Sequence, residues 1–256
     1  MHFIPKQAEQ SSTRKIRSFI RRQGRITQGQ EFALENYWDK YCLAPDKALD
    51  VSQVFGRHAP LCVEIGFGNG DCLAQLAAAN PEKDYIGIEV HRPGVGHLMM
   101  KLEEHDLHNV RIYCHDAIDV LTNSLPYNSL AAVHLFFPDP WHKRKHHKRR
   151  IVQASFIELL AKKLQSGGFF HAATDWEHYA KAMLEVLSAD NRFSNASLTN
   201  TYCERPDYRP LTKFEQRGLR LGHGVWDLIF NKNDEDPAKN CYKQGHSDRI
   251  ENKYII

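Results

Sequence analysis

Long apolar runs are missing from this chain. No stretch approaches the roughly 18 consecutive apolar residues of a membrane span, and the first residues lack the apolar core of a secretory leader. A soluble protein is expected. Paired cysteines are missing too. Cys42, Cys62, Cys72, Cys114, Cys203 and Cys241 form no C-x-x-C pair and have no histidine beside them at metal-ligand spacing. That argues against a disulfide framework or a zinc site and points to a reducing, cytoplasmic setting with no metal. No internal repeat is visible. With 256 residues, 42% of them hydrophobic, the chain can bury one full core and is short for two large domains.

The net charge is only +3, but it is unevenly placed. Between Glu9 and Glu31 there is no acid, while Arg14, Lys15, Arg17, Arg21, Arg22 and Arg25 follow one another. Residues 142–150 read H-K-R-K-H-H-K-R-R, six Lys or Arg and three His in nine positions. Such clustering is the electrostatic footprint of a polyanion partner. The plainer alternatives are a solvated basic face and, for the Arg-rich, acid-poor N-terminus, an organellar transit peptide.

From residue 61 onward, short apolar runs alternate with segments whose apolar residues recur every three or four positions, the pattern of βαβ units. Strands are expected near 61–65, 84–90, 110–115, 130–137, 169–174 and 225–230. Helices are expected over 71–79, 94–105, 147–164 and 176–188, with Gly167-Gly168 closing the fourth. The expected fold is α/β: a mostly parallel sheet, helices on both faces and an antiparallel last strand. Three parts follow: a basic N-terminal extension and helix (1–55), the sheet domain (56–230), and a polar tail (231–256) expected to be disordered.

The first strand runs into E-I-G-F-G-N-G at 64–70 and then into a helix. A Gly-rich turn at the carboxyl end of a central strand is where open α/β sheets bind ligands. The dinucleotide fingerprint would need a third glycine at position 71, which is Asp71. The glycines fall instead at 66, 68 and 70, which resembles methyltransferase motif I. The second strand leads to Glu89, whose two oxygens suit vicinal ribose hydroxyls. The third leads to Asp116, a possible acceptor for an adenine amino group, though a lone strand-end acid is more often a turn former or helix cap.

The fourth strand, L-A-A-V-H-L-F-F, ends in P-D-P-W at 138–141, directly before the basic run. Two prolines stiffen that turn around Asp139, and Trp141 is a candidate for stacking on a base. Taken with G-I-E-V, R-P-L-T-K-F-E-Q-R-G and the leader S-F-I-R-R-Q-G-R-I-T at 18–27, these motifs make the chain similar to the bacterial tRNA (guanine-N7)-methyltransferase family, over about residue 14 to Phe230. The leader match also weakens the transit-peptide alternative. The resemblance implies a Rossmann-like class I methyltransferase fold. It also implies S-adenosylmethionine as cofactor and tRNA as partner, in a monomer or homodimer. The methyl group would go to N7 of a guanine in the variable loop, at position 46 in the usual tRNA numbering. Glu64, Gly66, Gly68, Glu89, Asp116 and Asp139 would line the cofactor pocket, with Asp139 catalytic. Lys143, Asp175, Thr212, Lys213, Phe214 and Glu215 would contact substrate, and Lys145, His146, His147, Lys148, Arg149 and Arg150 would touch RNA. Lys145 stands where Arg is commoner in the family, which keeps charge but loses a bidentate fork.

Guanine N7 has an in-plane lone pair and no proton to lose, so its methylation demands alignment and charge stabilisation more than a general base. Asp139 fits that role, and Asp175 at the end of the fifth strand could share recognition of the base. Two rivals differ in signature. An exocyclic-amine methyltransferase places its acidic or amide residue before both prolines, whereas here the acid lies between them. A non-catalytic tRNA-binding protein would tolerate a broken motif I or loss of Glu89, and both are intact.

Overall fold

The computed structural model describes residues 17–19, 24–220, 222 and 224–234, with backbone alone at 213, 214, 217 and 219. Arg14, Lys15, Arg21, Arg22, Cys241 and the tail from 235 lie outside the described residues. Three short helices come first: α1 (Gln28–Asn36), α2 (Trp38–Tyr41) and α3 (Val51–Phe55). Alternating units follow as β1 (Leu61–Ile65), α4 (Asp71–Ala79), β2 (Asp84–Ile88), α5 (Arg92–Glu104), β3 (Val110–Tyr113), α6 (Ala117–Asn123) and β4 (Leu130–Phe136). A 3-10 helix (Arg144–Arg149) leads to α7 (Ala154–Lys163), β5 (Leu164–Thr174), α8 (Glu177–Ser188), β6 (Phe193–Asn195), α9 (Lys213–Arg220) and β7 (Trp226–Lys232).

The seven strands lie in the order β3-β2-β1-β4-β5-β7-β6. The first five are mutually parallel, and β7 runs antiparallel between β5 and β6. The chain reverses its direction of winding between β1 and β4, the switch point beyond whose carboxyl ends such sheets open a crevice. Every residue of β1 and β2 is buried, as expected of central strands covered on both faces. Val63, Ile65, Val133 and Leu135 face a core shared with Val120, Phe156, Leu160, Tyr179 and Met183. Cys62, Tyr85, Ile112 and Ala132 face the opposite core with Leu73, Leu76, Leu98 and Met99.

Local chemistry fixes where the helix expected in the N-terminal extension begins. Thr27 Oγ1 accepts from Gln30 N while Gln30 Oε1 accepts from Thr27 N at 2.9 Å, a reciprocal capping box that starts α1. Other boundaries differ from expectation. The helix expected over 147–164 begins only at Ala154, because the basic run coils into a 3-10 helix and Arg150 and Gln153 are extended. It ends at Lys163 rather than at the glycine pair. Leu164 already pairs with Leu130 and Phe169 with Ala132, so residues 165–168 form a bulge in β5 in which Gly167 takes φ 72°. Finally, β7 passes the expected domain end at 230, and Lys232 is tied down through Nζ to the Leu164 carbonyl at 2.8 Å and to Asn128 Oδ1 at 2.9 Å.

Candidate active site

At the carboxyl ends of the central strands lies a cavity of about 380 Å³ lined by Gly66, Glu89, His115, Ala117, Phe137 and Asp139, among others. Gly66 has φ 71°, and a Cβ built on it would project into open space. The constraint there is the left-handed backbone and the approach of whatever fills the cavity. Gly94 near the start of α5 is constrained by contact instead, since a Cβ would stand 2.1 Å from the Gly68 carbonyl oxygen. Glu89, just past β2, accepts from Gly68 N at 2.9 Å through Oε2, and from Val90 N at 2.7 Å and His91 N at 3.0 Å through Oε1. The carboxylate therefore ties the glycine loop to the next strand while opening on the cavity.

Gly66, Glu89 and Asp139 thus meet where the sequence predicts, and Gly68 takes part through its N–H. Glu64 and Asp116 differ from the expectation that they line this pocket. Glu64 is inside β1, buried to 3% exposure. Burial pushes its carboxyl up to about 8, with the Cys72 thiol hydrogen bond opposing and the Glu89 charge adding. Across β4 its register partner His134 is equally buried, and burial pulls that imidazole down to about 3. Asp116 caps α6, accepting from Ile118 N at 2.9 Å, and opens on a neighbouring cavity walled by Lys148, Arg149 and Arg150. The helix-cap reading of a strand-end acid holds for it.

Asp139 is exposed in a loop fixed at both ends. Phe137 and Trp141, flanking Pro138-Asp139-Pro140, take φ 53° and 48°, a left-handed backbone that costs on the order of 1–3 kcal/mol per non-glycine residue and persists only where surroundings enforce it. Here Phe137 N donates to the Ala173 carbonyl at 2.7 Å, and Arg150 Nε donates to the Pro140 carbonyl at 2.9 Å. Arg150 is 5% exposed, and its guanidinium lies 4.6 Å from the Tyr179 ring centre and within 3.3 Å of His178 Nδ1. It corrects the expectation of an RNA-facing arginine: the cost of burying the cation is offset by a carbonyl, an imidazole and an aromatic face.

Lys143, Lys145 and Lys148 are exposed, and His146 and His147 are half-buried, edge-on to Trp141 and beside His178. Trp141 is not open for stacking as predicted. The Arg149 guanidinium covers it at 4.2 Å, and its indole N–H donates to the Ser18 carbonyl at 3.1 Å. Arg149 Nε reaches the Arg17 carbonyl at 3.2 Å, so Ser18 and Phe19 of the leader line the same cavity as Asp139. Asp175 is half-buried just past β5, beside the strand that leads to Asp139.

Thr212 starts α9 by accepting from Glu215 N at 3.1 Å; the side chains of Lys213 and Phe214 lie outside the described residues. Glu215 departs from the expectation of a substrate contact, being buried with both oxygens on Arg209 at 2.6 and 2.7 Å. Arg209 also donates to Asp227 at 2.9 Å; Asp227 accepts from His171 Nε2 at 2.7 Å, and the Tyr208 hydroxyl bonds His171 Nδ1 at 2.9 Å. Arg209, Asp227 and His171 went unnoticed as functional candidates. Asp227 and His171 carry a signal, a lone charge or imidazole inside the apolar strands V-W-D-L-I-F and F-F-H-A-A, whereas Arg209 opens the R-P-L-T-K-F-E-Q-R-G block outside any strand.

A family profile described as "Putative methyltransferase" matches residues 58–228. The chain is 56% identical over 223 residues to a tRNA (guanine-N(7)-)-methyltransferase of Yersinia enterocolitica, covering 86% of this chain and 92% of that protein. It is 58% identical over 220 residues to the protein of the same name from Hydrogenovibrio crunogenus, with the same two coverages. The fold is that of the 16S rRNA methyltransferase KamB, at TM-score 0.55 and 15% identity over 73% of this chain and 95% of that one. Motif, cavity and relatives agree, and the chain belongs to the tRNA (guanine-N7)-methyltransferase family.

Proposed function

We propose that this protein transfers a methyl group from S-adenosylmethionine to N7 of a guanine in the variable loop of tRNA, in the cytoplasm. The observation that carries the reading is that Asp139 opens into the same cavity as Gly66 and Glu89, at the switch point of the sheet and directly before the exposed basic run. The residues present fit the cofactor. Gly66 leaves space where a side chain would intrude, and Glu89 presents acceptor oxygens for ribose hydroxyls. When bound, S-adenosylmethionine supplies an electrophilic methyl group on a positively charged sulfur.

The chain's own part is positioning and electrostatics. The left-handed turns at Phe137 and Trp141, with the Arg150 tether, hold the Asp139 carboxylate in place before substrate arrives. There it accepts from the guanine N1 proton or amino group and lies near the positive charge that develops on the purine. No residue needs to remove a proton from N7. Asp175 adds an acceptor from the adjacent strand, Thr212 at the start of α9 is a further substrate contact, and Lys143, Lys145 and Lys148 meet phosphates. The working unit runs from residue 56 through β7, with residues 1–55 supplying the leader and the helices α1 and α2, which pack on α5. Incubation with labelled S-adenosylmethionine and unmodified tRNA, followed by nucleoside analysis, should yield 7-methylguanosine from the variable loop. Label on an exocyclic nitrogen, or none, would overturn the reading.

A further inference from the structure

We infer that Trp176 is the aromatic platform on which the methyl-accepting guanine stacks, an inference that rests on the reaction just proposed. Trp176 follows Asp175 at the carboxyl end of β5 and is the N-cap of α8. Its backbone is fixed: its N–H donates to Thr174 Oγ1 at 3.2 Å, and its carbonyl accepts from Tyr179 N and Ala180 N, each at 2.9 Å. The indole that projects from this rigid position is nevertheless 40% exposed. The other three tryptophans are more covered. Trp38 lies 5.1 Å under the Arg92 guanidinium, Trp141 lies under Arg149, and Trp226 packs edge-on against Tyr202.

The surroundings match a nucleobase rather than a protein partner. His142, the first residue of the basic run, meets the indole edge-on with ring centres 4.2 Å apart. Exposed Lys143, Arg144 and Lys145 follow it in the chain, and Asp175 precedes the indole. A phosphate-binding flank, an aromatic face and an acceptor for base N–H groups are thus close together. A guanine drawn out of the tRNA stack loses its neighbouring bases, and an aromatic face replaces them. Methylation at N7 also makes the purine cationic, and a cation over an indole is held more strongly than a neutral ring. The stack therefore tightens as the methyl group transfers, which acts on kcat as well as on KM.

The test compares Trp176→Phe with Trp176→Leu in the full-length protein, using unmodified tRNA and measuring single-turnover rate, KM for tRNA, S-adenosylhomocysteine affinity and melting midpoint. The Phe variant is expected within about threefold of wild type and the Leu variant about tenfold or more down in kcat/KM, with a fall in kcat. Cofactor affinity and melting should match wild type. A Leu variant as active as the Phe variant, or one losing only KM, overturns the assignment. Should the Leu variant not fold, fluorescence decides: tRNA should quench wild-type indole emission more than that of Trp176→Phe, and equal quenching overturns the proposal. A wild-type protein that methylates no guanine N7 in the same assay refutes the reaction itself, independently of Trp176.

Discussion

Arg150 donates through Nε to the Pro140 carbonyl at 2.9 Å, so the last residue of the basic run faces inward and holds the loop that carries Asp139. The run therefore divides by role. Lys145→Ala with Lys148→Ala should weaken tRNA binding and flatten its salt dependence by roughly 0.7–0.9 in log-log slope per lost phosphate contact. Arg150→Ala should leave that slope within error of wild type and lower the single-turnover rate. Filter binding at several salt concentrations, beside rate measurements, separates the two, and a slope change in Arg150→Ala would put that side chain back on the RNA.

Asp139→Asn keeps shape and one acceptor oxygen while removing the charge near the forming cation. A loss of kcat of about a hundredfold, near 2.7 kcal/mol, is expected. Affinity for tRNA, dominated by phosphate contacts, should stay within a few-fold. A single-turnover rate within fivefold of wild type would reduce Asp139 to a turn residue.

Glu89→Ala removes the acceptor that bonds Gly68 N and faces the cavity. Binding of S-adenosylhomocysteine should weaken at least tenfold, about 1.4 kcal/mol, with tRNA affinity little changed. Calorimetric titration showing wild-type affinity would remove Glu89 from the cofactor site.

Glu64 sets a pH dependence of stability. Its carboxyl titrates near 4.5 when solvated and at about 8 when folded, so between those values the unfolded state has released a proton that the folded state keeps. Stability contributed by this group is full below about pH 4.5 and falls as pH rises toward about 8. Glu64→Gln cannot ionise. Relative to wild type its melting midpoint should climb across that window and level off above it, and a constant offset from pH 5 to pH 8.5 would contradict the burial argument.

How far the sequence revealed this molecule depended on whether a signal was local. Motif I, Glu89 and the P-D-P turn could be read because glycine and proline state their backbone demands directly. The five parallel strands could be read because burial on both faces makes them predominantly apolar. The role of Arg150 is not legible because a basic run looks uniform, and only the fold sets one guanidinium against the Pro140 carbonyl and the Tyr179 ring. Glu64 and Asp116 share the strand-end or near-end position of Glu89, yet side-chain direction and helix capping take them off the cavity wall. Arg209 and Asp227, 18 residues apart, are joined only by tertiary structure.

The ionic chain from Tyr208 through His171, Asp227 and Arg209 to Glu215 has a consequence for how the protein assembles. Arg209 is fully buried, and its guanidinium serves carboxylates on both β7 and α9. Any arrangement in which only one of these elements is in place leaves a charge removed from water without its partner, at a cost of several kcal/mol. Intermediate arrangements are thereby depopulated. The segment that carries Thr212 and Glu215 is therefore expected to order against β7 in one cooperative step, through Arg209.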